Sequence, residues 1–234
     1  MFQTSPQAQV LVRPVGSLSV DARAAFIAKT YGHLLGSIVA FTLFELMLFK
    51  MDWARPIAEA MLSVSWLFIL GGFMVVSFIA TRFATGGGSQ AKQYFGLGLY
   101  IVFEGLLFVP LLFIADAHAP GVISNAALVT LVGFAALTAI VFVTRKDFSF
   151  MRTVLIWASF AALGFIVASV LFGFSGGVIF PIIMIALAGG WILHDTSNVM
   201  LHYPEDRYVG ASLQLFASVA LMFWYVLTLF LSRD

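Results

Sequence analysis

The first chemistry in this chain is an acid inside an apolar run. Asp195 stands in His194-Asp195-Thr196-Ser197-Asn198, within residues 179–200, a stretch otherwise apolar enough to cross a bilayer. An ionised Asp at membrane depth costs about 2.5–3.5 kcal/mol on insertion scales, so such a group implies a partner, a water-filled cavity or a task. Two further acids lie in apolar runs. Glu104 falls near the middle of residues 94–114, where nothing exposed explains it. Glu45 lies about one turn from the end of residues 30–49. It can snorkel to water and reads as solvated or structural.

Helical spacing gives these acids company. Tyr100 is four residues before Glu104 and shares its face. Asn198, and two turns on His202, share a face with Asp195, while His194 pairs with Ser197 and Asn198 on an adjoining one. Gln214 and Ser218 lie one turn apart in residues 211–231. A bundle that turns Glu104, Asp195, Gln214 and Ser218 toward one another holds a small polar cluster in one half of the membrane. Two readings of that cluster stay open. One is a hydrogen-bonded network that fixes helix register. The other is a proton- or cation-responsive site, because two carboxyls close together in low dielectric cannot both ionise cheaply. On the second reading Asp195 and Glu104 are candidate ligands for calcium. Calcium takes six to eight oxygens, more than two carboxylates and a few hydroxyls and amides supply, so any Ca2+ is held weakly. No cofactor is firmly implied. His194 adds a group that titrates near neutrality beside Asp195, although a packed neutral ring is the simpler reading. An enzyme is not expected. The chain has no His-Glu-x-x-His, and Ser197, His194 and Asp195 lie together on one helix and cannot converge on a substrate.

Composition sets the solvent for the helices that carry these residues. Hydrophobic residues make up 62% of 234 and charged residues 10%, with a mean hydropathy of +1.03. A soluble domain has about 25% charged residues, so lipid covers much of this surface. The net charge of +1 and the scattered basic residues give no footprint for nucleic acid. There are no cysteines, which excludes disulfides and thiolate metal sites.

About 20 apolar residues cross a bilayer as a helix. Seven stretches qualify: residues 30–49, 57–80, 94–114, 122–143, 153–172, 179–200 and 211–231. Short connections make neighbours antiparallel. Residues 1–29 are polar and mixed, without the pattern of a cleaved signal peptide. They read as a flexible cytoplasmic segment ahead of a transmembrane domain of residues 30–234, with 21–29 able to start an interfacial helix. With the N-terminus inside, Arg13, Arg23, Lys29, Arg82, Lys92, Arg145, Lys146, Arg152 and Arg207 fall on the inner side. Lys50, Arg55 and Arg233 fall outside. That bias places the N-terminus in the cytoplasm and the C-terminus outside. The expected fold is an all-α membrane protein, a seven-transmembrane-helix bundle with the lipid bilayer as its partner. Gly32 with Gly36, and Gly189-Gly190, read as close-packing positions.

Three motifs carry a resemblance. Thr144-Arg145-Lys146-Asp147-Phe148-Ser149-Phe150, His194-Asp195-Thr196-Ser197-Asn198 and Ala211-Ser212-Leu213-Gln214-Leu215-Phe216 resemble, in order and in span position, segments of the Bax inhibitor-1 family, also called the transmembrane BAX inhibitor motif family. The bacterial YccA-like branch is the most similar. The resemblance implies a seven-helix fold with the last helix near the centre, in a bacterial inner membrane. It implies a pH-sensitive calcium leak governed by two aspartates on the sixth and seventh spans. Asp195 matches the first of them, and the second position falls on Ser218. A membrane-embedded Arg on the second span of leaking members has no counterpart beyond Arg82, at the span's end. His194 stands where the family has an aromatic. Glu104 is a substitute second carboxylate on the residues' own evidence. The YccA-like branch implies another role, binding and restraining a membrane-bound AAA protease. Two hypotheses therefore stand: a slow cation leak under proton control, and a regulator that acts by contact.

Overall fold

A computed structural model of the chain describes residues 13–86, 89–118 and 120–232. Among them are eight α-helices: α1 (Val20–Lys50), α2 (Ala54–Leu62), α3 (Trp66–Thr85), α4 (Gln90–His118), α5 (Val122–Thr144), α6 (Met151–Phe172), α7 (Ile179–Leu201) and α8 (Tyr208–Leu231). All but α2 are long and apolar enough to cross a membrane, which makes seven spans as expected.

The second span corrects the sequence reading. Residues 57–80 were expected as one helix, yet α2 ends at Leu62 and α3 begins at Trp66. Serine explains the break. Ser63 Oγ donates to the Ala60 carbonyl at 2.8 Å, and Ser65 is extended, with φ −60° and ψ 130°. Ser side chains that bond nearby backbone compete with the helical ladder. The span is therefore α3 alone, and α2 is a short helix that buries Ala54 and Ala58 against α4.

α1 starts at Val20, next to the helix start expected at residue 21, and runs on without a break at 29. Ser19 caps it by accepting from the Ala22 N–H at 3.3 Å, and Asp21 in the first turn suits the positive end of the helix dipole. Val15 is fully buried, and its N–H donates to the Tyr203 carbonyl at 2.9 Å. Of the expected flexible segment 1–29, residues 13–29 are thus built into the fold, and the boundary at 29 falls inside α1. Residues 1–12 lie outside the described residues.

Hydrogen bonds gather four chain segments at one end of the bundle. The start of α1 meets the α7–α8 turn through Val15 and Tyr203. The end of α3 meets it through Arg207, which donates to the Thr85 carbonyl at 2.7 Å. The start of α4 meets it through Gln93, which donates to the Asp206 carbonyl at 3.3 Å. The α5–α6 turn meets the end of α7 through the Phe148 N–H and Ser197 Oγ, 2.9 Å apart. Successive spans therefore run antiparallel, and α1 begins at the end of the bundle opposite to where α8 finishes.

The last span is central. α8 packs on α1, α3, α4, α5 and α7, and 56% of its most apolar stretch is buried, as in α7. α6 is the opposite case, at 6%; it leans on α7 and only brushes α3. Hydrophobic matching to lipid sets no order among the helices, so close packing must. Gly96 lets α4 lie on α3, since a Cβ there would come within 2.6 Å of the Ala84 backbone nitrogen. Gly190 does the same for α7 against Leu155 of α6. Gly32 and Gly36 do not, because nothing lies within 4 Å of a Cβ at either; they border an open groove beside His33.

Candidate functional site

Asp195 points inward from α7 and is 6% exposed. Its Oδ2 accepts from Ser218 Oγ of α8 at 2.6 Å. Its Oδ1 lies 3.0 Å from Nδ1 of His194. His194 is itself buried, with its ring edge-on to Trp191. Trp191 donates through Nε1 to Ser159 Oγ of α6 at 3.1 Å. The carboxyl is thus held on both oxygens, and the chain of contacts runs from α8 through α7 to α6.

A cavity of about 560 Å3 opens on this group. It lies between α3, α4, α7 and α8, with Ile166 of α6 on its wall. The weak contact between α3 and α6 leaves its flank thin. Glu104, Gln214 and Ser218 line it together with Asp195, so the four polar residues expected to converge do share one space. Tyr100 lines it one turn from Glu104. Glu104 is 5% exposed and its Oε2 has no partner. Glu104 and Asp195 share the cavity without a hydrogen bond between them, whereas Asp195 and Ser218 are bonded directly.

Asn198 stands apart from the other polar residues. It was expected beside Asp195 as a neutral ligand, but it lies one turn nearer the helix end and does not line the cavity. Its backbone carbonyl instead accepts from the N–H groups of His202 and Tyr203, both at 2.9 Å, and closes α7.

Below the cavity the structure shows a clamp that helical spacing did not reveal. Asp147, in the α5–α6 turn, accepts from the Ser149 N–H at 2.9 Å. Its Oδ2 lies 2.8 Å from Nε2 of His202, just past α7. The backbone N–H of Ser149 and then His202 hold the Asp147 carboxyl down at about 2, because hydrogen bonds to a carboxylate favour its charged form. Ser197 accepts from the Phe148 N–H. The turn motif and the α7 motif, some 50 residues apart in sequence, are therefore one unit in space. The Asp-x-Ser spacing signalled the local turn; nothing in it signalled the partner helix. Tyr203 is buried beside Phe26. Burial, above all, pushes its phenol up.

The walls supply two carboxylates, Asp195 and Glu104, with neutral oxygens from Ser77, Gln214 and Ser218. Among the described residues no group of three His, Cys, Asp or Glu could hold a metal ion. Such a donor set suits transient contact with a cation rather than a fixed coordination sphere.

Comparison with known proteins adds the lineage. The family model described as "Inhibitor of apoptosis-promoting Bax1" matches residues 23–234. The protein named Bax inhibitor 1 of Schizosaccharomyces pombe is 26% identical over 221 residues, 92% of this chain and 79% of that one. An uncharacterized protein of Pseudomonas aeruginosa is 25% identical over 170 residues, covering 69% of this chain and 72% of that one. Protein LIFEGUARD 4 of Arabidopsis thaliana is 26% identical over 228 residues, 92% of this chain and 88% of that one.

Proposed function

The chain belongs to the Bax inhibitor-1 family, and on that premise we propose that it is a slow, proton-controlled cation leak, with calcium as the ion passed. It is a multi-pass membrane protein; a bacterial inner membrane is part of the proposal, as is the absence of enzymatic chemistry. The observation that supports the leak is the cavity whose walls include both Asp195 and Glu104, with one oxygen of Glu104 free of any partner. Asp195 would be the gate. Protonated, it is neutral and draws no cation, and the cavity stays closed below it. Ionised, it repels a second negative charge and attracts a cation, for which Glu104 is the deeper stop. Gln214, Ser218 and Tyr100 contribute neutral oxygens, and His194 holds the carboxyl's other side.

The test is flux. Purified protein in liposomes with a trapped calcium dye should leak in a pH-dependent way, and Asp195→Asn should remove the pH response. Ser218→Asp, which adds a second carboxyl where the family resemblance places one, should enlarge it. Flux equal to that of protein-free vesicles at every pH would sink the leak.

One observation favours a second reading. Both oxygens of Asp195 are already satisfied within the chain, as a purely structural network requires. The protein then acts by contact, with a membrane-bound AAA protease as the proposed partner. Pull-down from native membranes, lost on deletion of residues 1–12, supports that role, and retention of no protease at all removes it.

A further inference from the structure

A second cavity, of about 480 Å3, lies between α1, α4, α5 and α8. It is at the end of the bundle opposite to the Asp147 clamp, where α1 and α4 finish and α5 starts. α8 separates the two spaces: Ser218 faces the first, and Phe216 and Phe223 face the second. The second space therefore stands independently of the leak.

Its chemistry is an orphaned acid in an aromatic box. Glu45 lines it and is only 6% exposed, yet neither of its carboxyl oxygens has a partner. Thr130 of α5, 2% exposed, presents a hydroxyl that is also unpartnered. Asp116 sits exposed at the rim. Phe41, Phe49 and Phe223 are among the residues that line it. No Lys or Arg lines the space, and among the described residues none pairs with Glu45 or Asp116. A buried polar group without a partner is costly, a carboxylate most of all. The site lacks a partner for this acid in either form, whether a cation for the carboxylate or a base for the protonated carboxyl.

A bare divalent cation does not answer that shortage. Calcium wants six to eight oxygens, and this wall offers one buried carboxyl, one hydroxyl and one carboxylate at the rim, with hydrocarbon between them. An organic cation fits better, because aromatic faces attract ammonium groups and about 300–1,000 Å3 is the range of small-molecule sites. We propose that this cavity binds a small lipophilic amine. Its nitrogen lies on Glu45 within reach of Thr130, and its apolar body lies among the phenylalanines. An amine that arrives neutral takes the proton of the Glu45 carboxyl. The O–H bond breaks, an N–H bond forms, and the resulting ion pair has no net charge. Asp116 at the rim draws amines that arrive already charged.

Equilibrium dialysis of the full chain in detergent, against 4-phenylbutylamine and the neutral 4-phenylbutanol, tests this with detergent-only cells as the blank. The amine should bind at least tenfold more tightly than the alcohol. Glu45→Gln should erase that preference while the alcohol still binds, which also shows that the variant is folded. Ala127→Phe, on the α5 wall, should fill the space and abolish binding of both. Equal binding of amine and alcohol to the unaltered protein overturns the proposal without recourse to any variant. So does a preference that survives Glu45→Gln, or displacement of the amine by stoichiometric calcium, which would make the site a metal site.

Discussion

At the scale of single residues, the bond between Asp195 and Ser218 decides most. A family resemblance that places two acids at these positions finds an acid and its donor, 2.6 Å apart. A short hydroxyl-to-carboxylate bond in a buried place is worth more than a neutral one. Ser218→Ala leaves Asp195 Oδ2 without a donor and should cost about 1–3 kcal/mol, the desolvation left uncompensated. A lowered thermal midpoint in detergent checks this, and an unchanged midpoint would mean that water replaces the serine. Asp147 gives a pH prediction of known sign. Its carboxyl is held below the usual carboxylate value, to about 2. Its share of the clamp is therefore intact above about pH 4, where an unfolded Asp is already ionised, and is lost as pH falls toward 2. Amide exchange in residues 145–150, corrected for its intrinsic rate, should rise over that window. Asp147→Asn should abolish the window.

At the scale of elements, close approach rather than hydrophobicity chooses neighbours. All seven spanning helices are apolar, and lipid is as good a partner as leucine. Gly96 is where α4 meets the α3 backbone. Gly96→Ala should push the two helices apart and cost about 1–3 kcal/mol, as overpacking does. Gly36→Ala meets open space and should stabilise α1 by roughly 0.5–1 kcal/mol, since Gly is the weaker helix former. Thermal denaturation of the two variants side by side separates these outcomes; matching shifts would show that α3 and α4 have slack. The serine break between α2 and α3 belongs to this scale too. A hydropathy window sums across Ser63-Val64-Ser65 and sees one span, whereas the backbone responds to where each hydroxyl bonds.

At the scale of the whole molecule, basic residues outnumber acidic ones at one end of the bundle. The nine basic residues assigned to the inner side in the sequence cluster with the start of α1, the α5–α6 turn and the α7–α8 turn. Positive-inside bias predicts that this end faces the cytoplasm. The absence of cysteine makes the chain ready for the test. In intact cells an impermeant maleimide should label Glu59→Cys, on exposed α2, and spare Lys146→Cys until the membrane is opened. Reversed labelling would invert the topology and move the Asp195 cavity to the outer half.

The sequence alone determined the class, the seven crossings and the family, because each is written in a local quantity: hydropathy along about 20 residues, the breakers between runs, or a short motif. It also nominated Asp195, Glu104, Gln214 and Ser218, because a polar atom in an apolar run is conspicuous whatever surrounds it. What it left undecided is which of these touch. Helical periodicity fixes the face on which Asn198 lies but not the depth at which the cavity ends, so Asn198 dropped out. Glu45, read as reaching water, turned out to be enclosed. Only tertiary packing set Ser218 against Asp195, brought Asp147 to His202 across 55 residues, and closed α1, α4, α5 and α8 around Glu45. In a bilayer every helix face is equally content with lipid, so rotation and depth are chosen by small-residue contacts and hydrogen bonds between helices, and these exist only once the helices have met.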